Sequence, residues 1–131
     1  MTKSCTILVV EDERSLQNAI CKKLSHTCFD VVTASNINKA KKCIEENQDI
    51  TMVWLDHYLL GNETGLDLVH FLKDRKESKD LPIMLVSNTA SDDKVECYKK
   101  LGITEYYIKA NYRLDYLVEE AQKHCKNFII K

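Results

Sequence analysis

The sequence predicts an α/β protein: a doubly wound, five-stranded parallel sheet covered by helices on both faces. Three observations lead there. Five short apolar runs alternate with five stretches of helical periodicity, and the connections between them are short. That alternation implies a parallel sheet covered on both faces, since each crossover helix must pack back onto it. Polar residues collect where the runs end, which is where open sheets of this kind place their chemistry.

The first strand is Cys5 to Val10, and it runs straight into Glu11-Asp12-Glu13. The helix after it carries Leu16, Ala19, Ile20 and Leu24 at helical spacing. Phe29 to Thr33 forms the second strand, and Asn36 caps a helix whose inward stripe is Ile37, Ala40, Lys41 and Ile44. Ile50 to Leu55 is the third strand, apolar, free of Gly and Pro, and followed by Asp56. A loop containing Gly61 and Gly65 leads to a helix with Leu68, Val69 and Leu72 inward, and the charge run from Lys73 to Asp80 reads as a solvated helix end. Pro82 opens the fourth strand, Ile83 to Val86, which ends in Ser87-Asn88-Thr89. Ser91, Asp92 and Asp93 start a helix running to about Leu101, with Gly102 as its left-handed terminal residue. Tyr106 to Ile108 is the fifth strand, followed by Lys109, and the last helix runs from about Arg113 to Lys126.

Composition narrows the function classes. The 131 residues suit one domain, spanning 1–131, and the 44% apolar and 30% charged fractions suit a soluble globular chain. Net charge is −1, from 19 basic and 20 acidic residues, which leaves no basic footprint for nucleic acid and no polybasic membrane signal. No run is long enough to span a bilayer or to serve as a signal peptide, so a cytoplasmic location is expected. Six cysteines lack C-x-x-C or zinc-like spacing and read as buried or half-buried free thiols.

The strand ends hold the candidate chemistry. They offer Glu11 and Asp12, then Asp56, then Ser87 and Thr89, then Lys109. With the flavodoxin-like strand order 2-1-3-4-5, the first and third strands flank the switch point and the three acids converge. Two carboxylates about 4 Å apart repel by roughly 4 kcal/mol at an effective dielectric of about 20. Three together call for a raised pKa or a bound cation, and an all-oxygen cluster suits a hard ion such as Mg²⁺. A lysine and a hydroxyl opposite would complete a pocket for a phosphoryl group, with Asp56 placed as the nucleophile.

Four segments carry a family resemblance: I-L-V-V-E-D-E (7–13), V-W-L-D (53–56) with G-L-D-L (65–68), P-I-M-L-V-S (82–87) and G-I-T-E-Y-Y-I-K (102–109). Together, in this order, they make the chain resemble the receiver domain of bacterial two-component response regulators over essentially its whole length. The resemblance implies Asp56 as phosphoacceptor, Asp12 as a direct Mg²⁺ ligand and Glu11 as its neighbour acting through metal-bound water. It implies the backbone carbonyl of Tyr58 as a further ligand, Lys109 as the phosphoryl contact, and Ser87 and Tyr106 as switch residues. Tyr58 and Thr89 fall at positions that tune dephosphorylation.

The implied function is a signalling domain rather than an enzyme. It would take a phosphoryl group from phosphohistidine of a sensor histidine kinase or histidine phosphotransfer protein. It would then alter the face made by the fourth helix, fifth strand and fifth helix toward a downstream protein or fused effector. A monomer or weak dimer is expected, with no nucleic acid or membrane contact by this chain. A receiver-like scaffold working without phosphorylation is one alternative. A flavodoxin-like flavin or redox protein is another, although acids stand where its phosphate cradle would be.

Three positions depart from the pattern. Ala110 stands where Pro usually follows the lysine, so the Lys109–Ala110 bond is either cis, at about 3 kcal/mol, or trans with an altered lysine approach; cis is the expectation. Leu60 stands where Pro usually follows the phosphoacceptor, in a loop one residue longer than usual. Asn88 replaces a small residue and narrows access for the phosphodonor. His57, beside Asp56, is expected to face solvent, and Tyr98, Tyr107, Tyr112 and Tyr116 to cluster near the output face, mostly as packing. Taken singly, Glu11 and Asp12 could cap a helix, Lys109 could be a surface lysine and Tyr106 a half-buried strand residue. It is their coincidence that favours the site.

Overall fold

In a computed structural model, which describes residues 5–27, 29–57, 63–88 and 92–130, five strands and five helices alternate. They are β1 (Cys5–Val10), α1 (Arg14–Ser25), β2 (Phe29–Ala34), α2 (Ile37–Glu46), β3 (Ile50–Leu55), α3 (Gly65–Lys73), β4 (Ile83–Val86), α4 (Asp92–Leu101), β5 (Glu105–Tyr107) and α5 (Leu114–Ile130). All pairings are parallel and the sheet order is β2-β1-β3-β4-β5. The predicted fold class and strand order both hold.

The two-residue period of the strands divides the core in two. Leu8, Val10, Val53, Leu55, Ile83 and Leu85 face α2 and α3, meeting Ile37, Ala40, Ile44, Leu68, Val69 and Leu72. Ile7, Val9, Met52, Trp54, Met84 and Val86 face α1 and α5, meeting Ile20, Leu24, Leu117, Val118 and Ala121. Because the central strands are buried on both faces, they read as continuous apolar runs rather than as alternating ones.

Local chemistry sets the boundaries. Asn36 caps α2, its side chain accepting the Lys39 N–H at 2.8 Å. Thr64 and Asp67 form a capping box, so Gly65 opens α3 and does not belong to the loop as the sequence suggested. Gly102 closes α4 at φ 85°, where a side chain would be strained. The fifth strand lies one residue earlier than expected and gives way to a 3₁₀ turn, Lys109–Asn111; Ile108 is exposed. Ala19 is exposed rather than inward. Lys41, placed in the inward stripe of α2, is half-buried: its ammonium lies over the Phe71 ring at 5.6 Å and pairs with Glu63 at 3.2 Å. Among the described residues no helix is long and apolar enough to cross a membrane.

Candidate functional site

The sheet carries its hydrogen bonding one step past the strands, and those steps hold the functional residues. Glu11 N–H donates to Ala34 O at 3.1 Å, and Asp56 N–H to Val10 O at 3.1 Å. On the other side Ser87 N–H donates to Tyr107 O at 3.1 Å, and Lys109 N–H to Ser87 O at 3.3 Å. Four side chains from four strand ends are thus presented at one edge by backbone already fixed in register.

Carboxylate oxygens of Glu11, Asp12 and Asp56 lie within 4.8 Å of one another. Glu11 is 2% exposed and Asp56 6%, while Asp12 is half-buried. Lys109 Nζ reaches across the sheet to both buried acids, 2.7 Å from Glu11 Oε1 and 3.0 Å from Asp56 Oδ2. Glu11 Oε2 also accepts the Glu13 N–H at 3.1 Å. Burial raises the Glu11 carboxyl above its ordinary value, and the Lys109 and Glu13 hydrogen bonds only partly oppose this. For Lys109 burial works against the ammonium, but the hydrogen bonds to Glu11 and Asp56 outweigh it and its pKa is raised.

One ammonium faces three carboxylates, so negative charge is left over on the side of Asp12. That side opens onto a polar groove of about 450 Å³ bordered by Arg14, Gln17, Ser35 and Lys39. The donor set is all oxygen and partly pre-formed, which fits a hard divalent cation. At the end of β4, Ser87 Oγ is buried and makes no hydrogen bond among the described residues. A buried hydroxyl with no partner is costly unless it has a second arrangement to reach or a ligand to meet. Tyr106 is half-buried, and its hydroxyl donates to Ser87 O at 3.4 Å.

The structure therefore brings together Glu11, Asp12, Asp56, Ser87, Lys109 and Tyr106. Tyr58 and its carbonyl, Leu60 and Thr89 lie outside the described residues. Two expectations are overturned. No peptide bond among the described residues is cis, so Lys109–Ala110 is trans; without a proline ring the trans form is favoured by about 3 kcal/mol. Nor does His57 face solvent. It is 2% exposed, and its Nδ1 lies 2.6 Å from the hydroxyl of the fully buried Tyr98, with the rings edge to face. Burial, followed by the charge of Lys94, lowers the His57 pKa, which favours the neutral ring.

Sequence reasoning missed this pair. The signal available was the spacing of Val95, Tyr98 and Leu101, which marks the inward side of α4. Tyr112 and Tyr116, by contrast, are exposed and stack on each other at 5.2 Å. Trp54 faces α1 and α5, where it and Lys109 border a cavity of about 260 Å³.

Residues 7–122 match the response regulator receiver domain family. An NtrX-like response regulator of Rickettsia felis is 28% identical over 92% of this chain, and CheY1, a chemotaxis protein of Helicobacter pylori, is 27% identical over 79%. The matched segment spans 25% of the former and 83% of the latter, and only 14% of the rice response regulator-like protein PRR73. A response regulator receiver protein of Pseudomonas putida shares the fold with a TM-score of 0.85 at 23% identity, covering 94% of this chain and 99% of that one. A CheY-like receiver domain of Methanospirillum hungatei gives 0.85 at 18% identity, covering 95% and 96%. With its fold, strand order and acid cluster, the chain belongs to the response regulator receiver domain family.

Proposed function

We propose that this chain is a phosphorylation-competent receiver: Asp56 accepts a phosphoryl group from phosphohistidine of a kinase or phosphotransfer partner. The observation that carries the reading is the meeting of Lys109 with Asp56 and Glu11 beside Asp12, with the Ser87 hydroxyl, which has no partner among the described residues, at the neighbouring strand end. Asp12, Glu11 and Asp56 are the side chains that would hold Mg²⁺, which when bound supplies charge neutralisation for the incoming phosphoryl oxygens. Asp56 Oδ forms the new O–P bond as the histidine N–P bond breaks, and the leaving imidazole takes up a proton. Lys109 lies close enough to follow the charge as it moves from the carboxylate to the phosphoryl oxygens.

Phosphorylation would add charge at the one place where Ser87 can turn to meet it. Rotation of Ser87 frees space beside Tyr106, and the α4–β5–α5 face changes toward a downstream partner. In this reading the chain is a cytoplasmic signalling domain whose output is a shift of population rather than a released product. The test is incubation with acetyl phosphate and Mg²⁺. Base-labile phosphate on the wild type and none on Asp56→Asn supports the reading. A wild type that stays unlabelled would favour the scaffold alternative.

A further inference from the structure

Lys109 is held at both of its peptide groups by the end of β4. Its own N–H donates to Ser87 O at 3.3 Å. The next N–H along, that of Ala110, donates to the side-chain Oδ1 of Asn88 at 2.8 Å, a bond between residues 22 apart in the chain. The 3₁₀ turn closes beneath, with Tyr112 N–H on Lys109 O at 3.4 Å. From this base the lysine stem crosses to Asp56 and Glu11.

We propose that Asn88 is a positioning residue for Lys109. Ala110, unlike a proline, carries an N–H, here at an exposed turn, and a peptide plane satisfied only by water can rock. Asn88 takes that N–H and extends the β4–β5 pairing by one side-chain rung, fixing where the lysine Cα sits. A rocking base would move Nζ by more than the tolerance of a hydrogen bond at about 3 Å. Asn88 and Ala110, two of the three residues that look out of place in the sequence, thus act as one unit.

The consequence for rate rests on the reading of Lys109 given above. Asn88→Ala is expected to slow the limiting rate of acetyl phosphate labelling about fivefold, the order of one lost hydrogen bond, with the Mg²⁺ dependence unchanged. In an Ala110→Pro background, which has no N–H to hold, the same Asn88→Ala change is expected to have no further effect. A role for Asn88 through any other contact would persist in that background. Amide exchange at Ala110, read by NMR in the whole chain, is expected to quicken about fivefold in Asn88→Ala, together with a shifted Lys109 Nζ resonance.

Equal labelling rates in wild type and Asn88→Ala, or an additive loss in the Pro background, would overturn the proposal. If the wild type takes no phosphate, the fault lies with the function assigned to Lys109. Ala110 exchange and the Lys109 resonance then decide: change in both supports the positioning role, and change in neither overturns it.

Discussion

Asp12→Asn removes one of three crowded acids without touching the Lys109 contacts, which go to Glu11 and Asp56. With oxygens no more than 4.8 Å apart, each pair of full charges repels by roughly 3.5 kcal/mol at an effective dielectric of about 20. Attraction of Asp12 to Lys109 offsets part of this, and Asp12 is half-exposed, so water screens much of the remainder. The net relief is on the order of 1–2 kcal/mol. For a chain of this length 1 kcal/mol moves Tm by about 4 °C, so metal-free Asp12→Asn should melt roughly 4–8 °C above wild type. The assay is thermal denaturation by circular dichroism in EDTA and then in excess Mg²⁺. Wild type should gain about 2.7 kcal/mol at a hundredfold excess over Kd, and the variant little or nothing. A metal-free Tm equal to or below that of wild type, or an equal gain with Mg²⁺, would refute the claim that these carboxylates form one site.

Lys109→Met strands two buried acids and should destabilise the metal-free fold by about 3–5 kcal/mol, checked by urea denaturation. Glu11 gives a pH signature. Its folded pKa is raised, so its contribution is full below the ordinary value near 4.5 and is lost as pH rises through the folded value. His57, lowered by burial, works in the opposite sense, so the comparison is with Glu11→Gln. In EDTA the wild-type Tm should rise relative to that variant as pH falls from neutrality through the raised folded value toward the ordinary carboxylate value. Gly65→Ala would set a Cβ 2.5 Å from the Tyr98 hydroxyl and 3.0 Å from Asp56 O, costing about 1–3 kcal/mol. Tyr98→Phe on its own should cost about 1–2 kcal/mol by leaving His57 Nδ1 without that hydroxyl, yet it should recover part of the Gly65→Ala loss; strictly additive melting temperatures would exclude the contact.

The acids, the serine and the lysine were legible in the sequence because strand ends are legible: an apolar run stops, and the next polar side chain stands at the sheet edge. Asn36 and Gly102 were legible because caps are local chemistry. The His57–Tyr98 pair was not, because periodicity marks the inward side of α4 without saying which loop that side meets. The Asn88–Ala110 bond depends on β4–β5 register, a relation between residues 22 apart that neither segment records alone. The Lys109–Ala110 geometry was misjudged for the same reason. The family pattern suggested the isomer, while the residue that makes the trans form serviceable sat in a different segment.

Backbone and side chain take separate parts in this site. Glu11, Asp56 and Ser87 are each held by a main-chain bond that continues the sheet, and Lys109 by one such bond together with the Asn88 side chain on the next N–H. Their side chains are unevenly committed: Lys109 binds two acids, while the Ser87 hydroxyl binds nothing among the described residues. A charge arriving on Asp56 can therefore be met by rotating Ser87 and redirecting Lys109, without breaking a strand. The sheet edge need not deform, and any mechanical consequence must leave through what packs on those two side chains. Tyr106 touches the carbonyl of one, and the Asn88–Ala110 rung braces the backbone of the other. Both lie on the β4–β5 side of the molecule, so a surface change should appear there and fade across β1 toward α2, a gradient that amide exchange with and without phosphate would map residue by residue.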